Sequence, residues 1–213
     1  MTDNKPFTKQ KLPFRGWGDR RYWFKRREPF AFMLYLAMVG SALIFLFLIF
    51  VFISKEAQNQ DILIKIPGAF WASTFVILTS SATLYWANKA FRQERFQSYR
   101  LNISLTLLAG IFFIILQGFG WRKMMLAGIT MENNTGGMFI YILSGLHIFH
   151  TLGGLIALAS ANKDAFQHME YVDSYVYSVN PPNQLKIKLI TRYWHFIDIL
   201  WIVLFLFLLY HAS

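Results

Sequence analysis

Five apolar runs, separated by polar and basic stretches, divide this chain. Phe30 to Ile53 holds 24 residues without a charge. At about 1.5 Å of helical rise per residue, that run crosses a hydrocarbon core about 30 Å thick. A second run, residues 67–87, starts at Pro67, a residue suited to a helix start, and ends on the interfacial aromatic pair Tyr85-Trp86. It carries Ser73, Thr74, Thr79, Ser80, Ser81 and Thr83, small hydroxylated residues that let helices approach closely. Residues 101–120 form the third run, with Gln117 near its end and Trp121 as a belt residue. The fourth, 137–160, carries His147 and His150 and then the small pair Gly153 and Ala157. The fifth is 190–211. The pattern predicts an all-α integral membrane protein of five transmembrane helices, with residues 1–29 as a basic tail and 30–213 as one membrane domain.

Residues 161–192 read as a long loop. Within it Tyr171-Val172-Asp173-Ser174-Tyr175-Val176-Tyr177 alternates with a period of two ahead of Pro181-Pro182. That stretch suits a short hairpin or a docking surface, and suits an irregular solvated loop equally well.

Composition agrees with the pattern: of 213 residues 55% are hydrophobic, 18% aromatic and 15% charged. Soluble domains are much richer in charge. A net charge of +10 would suggest nucleic acid in a soluble chain. Topology explains it better here. The tail and the loops around 88–100 and 161–192 hold 9, 4 and 4 Lys plus Arg, and the other two loops hold 2 and 2. The positive-inside rule then puts the N-terminus in the cytoplasm and, after five crossings, the C-terminus outside. The run Arg20-Arg21-Tyr22-Trp23-Phe24-Lys25-Arg26-Arg27 is read as a juxtamembrane anchor beside anionic headgroups, with no nucleic-acid partner. The scattered basic residues and the length of the first apolar run do not suit a signal peptide, so that run is expected to be a retained anchor. With no Cys, disulfides, thiolate metal sites and Cys nucleophiles are excluded within this sequence.

Candidate chemistry centres on Asp198, which lies well inside the fifth run. A carboxylate near the centre of a membrane helix costs about 2.5–3.5 kcal/mol on insertion scales, so it needs a partner or a task. Thr191, Trp194, His195, Asp198, Trp201 and Phe205 recur at three- and four-residue intervals and share one face. Counted inward from the cytoplasmic ends, His150 and Asp198 match in depth, which predicts a His150–Asp198 tie between the last two spans. His147 and His195 differ by about 12 Å on the same count. A metal site drawing on His147, His150, His195 and Asp198 is conceivable from ligand type. No second carboxylate or polar path accompanies them, so the expectation is no catalytic, cofactor-binding or metal residue. His147, His150, His195, Asp198, Trp194 and Trp201 are then buried polar, structural or lipid-proximal residues.

The nine residues Tyr193-Trp194-His195-Phe196-Ile197-Asp198-Ile199-Leu200-Trp201 are similar to the YWHFVDVVW signature of subunit III of the haem-copper cytochrome c oxidase family. Ser144-Gly145-Leu146-His147-Ile148-Phe149-His150 resembles that family's TGFHGLH, and Thr79-Ser80-Ser81-Ala82-Thr83-Leu84-Tyr85-Trp86-Ala87 its SSxTVxWA pattern. The resemblance runs from Glu28 onward and fits the five-helix form that lacks the two N-terminal helices of longer members. It implies a subunit that holds no haem or copper, packs on subunit I beside subunit II, cradles phospholipid, and supports proton uptake and stable turnover. Small subunits or a respiratory supercomplex are further partners it allows, in a bacterial-type inner membrane. The reaction of the whole complex would be electron transfer to O₂ with proton pumping. The electron donor stays open, and the equivalent subunit of a quinol oxidase or nitric oxide reductase fits the same residues. Two departures stand out. A family Glu in the first of these spans is replaced at Gly40-Ser41-Ala42, and another after Gln117 is replaced by Gly118.

Overall fold

The computed structural model describes residues 29–56, 66–132 and 135–211, so the basic tail and most of the first loop lie outside the described residues. The described residues form six helices: α1 (Pro29–Glu56), α2 (Gly68–Arg92), α3 (Phe96–Leu126), α4 (Thr135–Gln167), α5 (Tyr171–Val179) and α6 (Pro181–Tyr210). Every long helix reaches past its apolar run at one end or both. Four of them, α1, α3, α4 and α6, are long and apolar enough to cross a membrane. The chain is therefore an all-α multi-pass membrane protein. α2 has 25 residues, a sufficient length, but its hydroxyls lower its hydropathy.

Local chemistry sets the helix ends. α2 stops in a Schellman motif, with Arg95 N–H donating to Ala90 O at 3.0 Å and Glu94 N–H to Phe91 O at 3.3 Å. Glu94 takes the left-handed position at φ 59°, where glycine is the usual occupant. α3 ends the same way on Gly128, whose φ is 77°. There Ile129 N–H donates to Met124 O and Gly128 N–H to Met125 O, both at 3.0 Å. The two prolines at the head of α6 suit positions whose N–H groups have no helical acceptor.

The stretch read as a loop or hairpin is helical. α4 continues to Gln167, α5 occupies Tyr171–Val179, and α6 begins at Pro181. Period-two alternation misled because Ser174 and Ser178, four apart, form the inward face of a helix; both are buried.

α2 and α3 pack antiparallel along their length: Phe70 lies against Gly120, Ser73 bonds Gln117, and Thr83 bonds Thr106. α6 lies against α2 and α4, burying Trp194 and Trp201 completely. α1 sits on the outside against α4 and α6, with Phe52 edge-on to Phe139 and Phe207. Lipid tails are as apolar as Leu, so burial from water does not drive these helices together. Close approach at small residues and interhelical hydrogen bonds do, at about 0.6 kcal/mol per bond on average.

Candidate functional site

α2 presents Ser80 and Ser81, neighbours about 100° apart on the helix, so that each meets a different part of α6. Ser80 faces inward. The Trp194 Nε1–H donates to its Oγ at 3.1 Å. The indole itself fills a slot between two glycines. A Cβ on Gly110 would stand 2.6 Å from Trp194 Cη2, and one on Gly154 would stand 3.0 Å from Trp194 Cε3. Gly110 of α3 and Gly154 of α4 are thus what lets α6 enter between them.

Ser81 meets the acid. Its hydroxyl donates to Asp198 Oδ2 at 2.6 Å and lies 2.9 Å from His195 Nδ1. With its one proton directed at Asp198 Oδ2, Ser81 receives the Nδ1–H of His195, which leaves Nε2 as the free acceptor. His195 and Asp198 are 3.9 Å apart at Nδ1 and Oδ2. The serine stands between histidine and aspartate. In a nucleophilic triad the histidine takes that middle place and removes the serine's proton, so this order holds side chains and does not activate an oxygen. One turn on, Trp201 Nε1–H donates to Thr74 Oγ1 at 2.9 Å, continuing the same seam between α2 and α6.

The expected His150–Asp198 tie is not formed. Asp198 takes its partner from α2, and His150 faces α1. His150 Nδ1–H donates to Leu146 O, 2.8 Å away, so Nε2 accepts from Ser41 Oγ, also at 2.8 Å. Phe45 packs beside its ring. The i, i+3 spacing of the two histidines leaves them about 60° apart in azimuth, enough to give them different neighbours. His147 points into the core, fully buried, 5.0 Å from the Trp201 ring and 5.6 Å from Phe113. Its two nitrogens have no hydrogen-bond partner, nor do Asp198 Oδ1 and Gln117 Oε1, whose amide donates instead to Ser73 at 2.9 Å.

The six residues singled out from the sequence therefore divide. Trp194, Asp198 and Trp201 join one seam on α2. His195 shares it but stays partly exposed at the rim, His147 lies in an aromatic box, and His150 ties α1 to α4. Among the described residues no three His, Asp or Glu side chains gather as metal ligands. Sequence reasoning missed Ser81, Ser80 and Ser41 as partners, and Gly110 altogether. The hydroxyl-rich run on α2 was a usable signal, since an acid in a membrane needs a donor and α2 offers several.

A second polar assembly closes one end of the bundle. Arg100 of α3 donates Nε–H to Ala165 O at 2.8 Å, and Nη2 to His168 O, Met169 O and Ser174 Oγ at 2.6, 3.0 and 2.9 Å. It caps the exposed carbonyls at the end of α4 and pins α5 with one guanidinium. Opposite it, Asp164 Oδ2 accepts from Lys186 Nζ at 2.7 Å and from Tyr177 OH at 2.8 Å. Burial, then the Asp164 carboxylate, raise the Tyr177 phenol above its ordinary value of 10.0.

An antiparallel helical bundle whose last helix is sewn to the others by indoles, hydroxyls and one acid defines a multi-pass membrane protein held by polar ties, without clustered metal ligands among the described residues. The profile of the family described as cytochrome c oxidase subunit III matches residues 65–213, which is α2 to the end of the chain, and this chain belongs to that family. Among its relatives, the probable cytochrome c oxidase subunit 3 of Mycobacterium leprae is 32% identical over 138 residues, 62% of this chain and 61% of that protein. The cytochrome c oxidase subunit 3 of Corynebacterium diphtheriae is 26% identical over 156 residues, 71% of this chain and 68% of that one. That of Artemia franciscana is 26% identical over 134 residues, 63% and 47% of the two. The matched region thus spans 61% of the length of the first of these relatives.

Proposed function

We propose that this chain works as the accessory subunit III of a haem-copper cytochrome c oxidase in a bacterial plasma membrane. It binds none of the haems or copper itself and packs on the subunit that does. The observation that carries this is the seam of Ser80, Ser81, Trp194, His195 and Asp198, which falls wholly inside the region matched to the family. A seam of that kind commits its acid and histidine to holding helices together. The role is then support: a rigid wall beside the catalytic subunit, with phospholipid at its apolar faces and an influence on proton uptake and on turnover life.

In this reading α2 crosses the membrane as well, making five spans, because its polar side chains are turned onto α3 and α6. The basic end of the bundle is the cytoplasmic one. Arg92, Arg95, Arg100, Lys186 and Lys188 lie together where α2 turns into α3 and α6 leaves α5. Arg192 of the same helix stacks over Tyr35, near the start of α1, at 5.6 Å. The positive-inside rule assigns such an end to the cytoplasm.

The test is purification through an affinity tag on this chain. A haem-containing partner with an oxidase spectrum should accompany it in fixed ratio, and its absence, or haem bound by the isolated chain, overturns the reading. A reporter joined after Ser213 should be active only outside the cytoplasm.

A further inference from the structure

Tyr99, one residue before Arg100 on α3, is only 4% exposed, yet its hydroxyl makes no hydrogen bond among the described residues. Its ring is held against Phe91, with the centroids 5.0 Å apart. Buried hydroxyls are almost always bonded, to protein or to ordered water. Tyr99 lines a small cavity between α3, α4 and α5 that it shares with Arg100, Asp164, Ser174 and Tyr177. The cavity has a volume of about 10 Å³. Space of that size takes one water and nothing larger.

Charge and hydrogen bonding agree with size. A cation there would meet the Arg100 guanidinium, and an anion would meet the Asp164 carboxylate, so a neutral molecule fits. The molecule must also be able to accept and to donate. Tyr99 O–H is a donor without an acceptor. Asp164 Oδ2 already accepts from Lys186 and Tyr177, whereas Oδ1 accepts nothing among the described residues. The Tyr99 hydroxyl lies within electrostatic reach of both Asp164 and Tyr177.

We propose that this cavity binds one water molecule, which accepts from the Tyr99 hydroxyl and donates to the Asp164 carboxylate, bridging α3 to α4 and helping to hold α5 over them. The site goes beyond the reading of the chain as an oxidase subunit and stands or falls separately from it. The experiment is an electron cryomicroscopy map of the purified protein, with the polypeptides that accompany it, at a resolution that shows ordered waters. A peak should stand about 2.5–3.0 Å from both Tyr99 Oη and an Asp164 carboxylate oxygen. A map that resolves other internal waters but none here overturns the site. Tyr99→Phe removes the hydroxyl and keeps the ring on Phe91, so the peak should be lost while the fold is retained. A peak that survives this substitution overturns Tyr99 as its holder. Amide exchange over residues 171–179 should quicken severalfold in the same variant, and an unchanged rate overturns the hold on α5.

Discussion

The Trp194 indole occupies the space that any side chain at Gly110 would need, with 2.6 Å left between Cη2 and a Cβ at that position. Backbone of α3 and ring of α6 are in contact, and Leu155 Cδ2 closes in to 2.8 Å of the same point. Gly110→Ala must push a fully buried ring that is also hydrogen-bonded to Ser80. Overpacking of this kind costs about 1–3 kcal/mol. The variant is expected to lower the melting temperature of the purified protein, and Trp194→Leu added to it should recover part of the loss by making room. Ala at Gly118, within the same helix and with nothing within 4 Å of its Cβ, is the clash-free control, expected to keep or slightly raise stability.

Ser81→Ala removes the proton donor of Asp198 and the acceptor of His195 together. Leaving a buried carboxylate oxygen unpaired costs about 1–3 kcal/mol. Asp198→Ala in that background should then cost less than in the parent, since the partner is already gone. Equal costs in a double-mutant cycle, read by thermal melting, would show that the two side chains do not act as a pair.

Glu94 sits at φ 59° in the position that closes the α2 Schellman motif. Glycine pays no Cβ penalty there, so Glu94→Gly is expected to raise stability by about 1 kcal/mol. Melting of the variant beside Glu94→Ala, which keeps the Cβ, separates the backbone effect from the charge.

Arg100→Ala frees carbonyls at the end of α4 and the hydroxyl of Ser174 at once. Amide hydrogen exchange should quicken over residues 168–179 and stay unchanged within the middle of α3. Arg100→Lys should restore little, because one ammonium does not reproduce the guanidinium's fork.

Tyr177 holds its proton more tightly in the folded protein than in the unfolded chain. Above the unfolded value of 10.0 the native state therefore binds more protons, so the contribution is full below that pH and falls as pH rises toward the raised folded value. Exchange protection of α5 is expected to decline in that alkaline window. Tyr177→Phe, which cannot titrate, should flatten the decline; a slope unchanged by this substitution would assign it to another group.

The sequence displayed the apolar lengths and the inward face of α6 openly, because length and three-to-four spacing are local properties. It also marked Asp198 as a residue in need of a partner. Which partner was not local. His150 and Ser81 both lie at suitable depth, and only the packing of α2 between α3 and α6 decides for the serine. Depth counted along a helix carries no azimuth, and the error came from assuming that consecutive spans supply the contact. Residues 171–179 failed for a related reason: seven alternating residues satisfy a strand pattern, while the buried Ser174 and Ser178 obey helical spacing. Gly110 and Gly154 gave no sign of their role, since the shape of Trp194 against them exists only once three helices meet.

The bond from Ser41 to His150 has a bearing on how the protein comes together in time. α1 lies outside the region shared with the family, which begins at residue 65, and rests on the outer side of α4 and α6. The seams that unite α2, α3, α4 and α6 run on their own side chains. A ribosome delivers α1 first, yet the surface that receives it is completed only when the last helix has been made. The seat of α1 is therefore filled in two parts, the α4 side with His150 and Phe139 being made before the α6 side with Arg192 and Phe207.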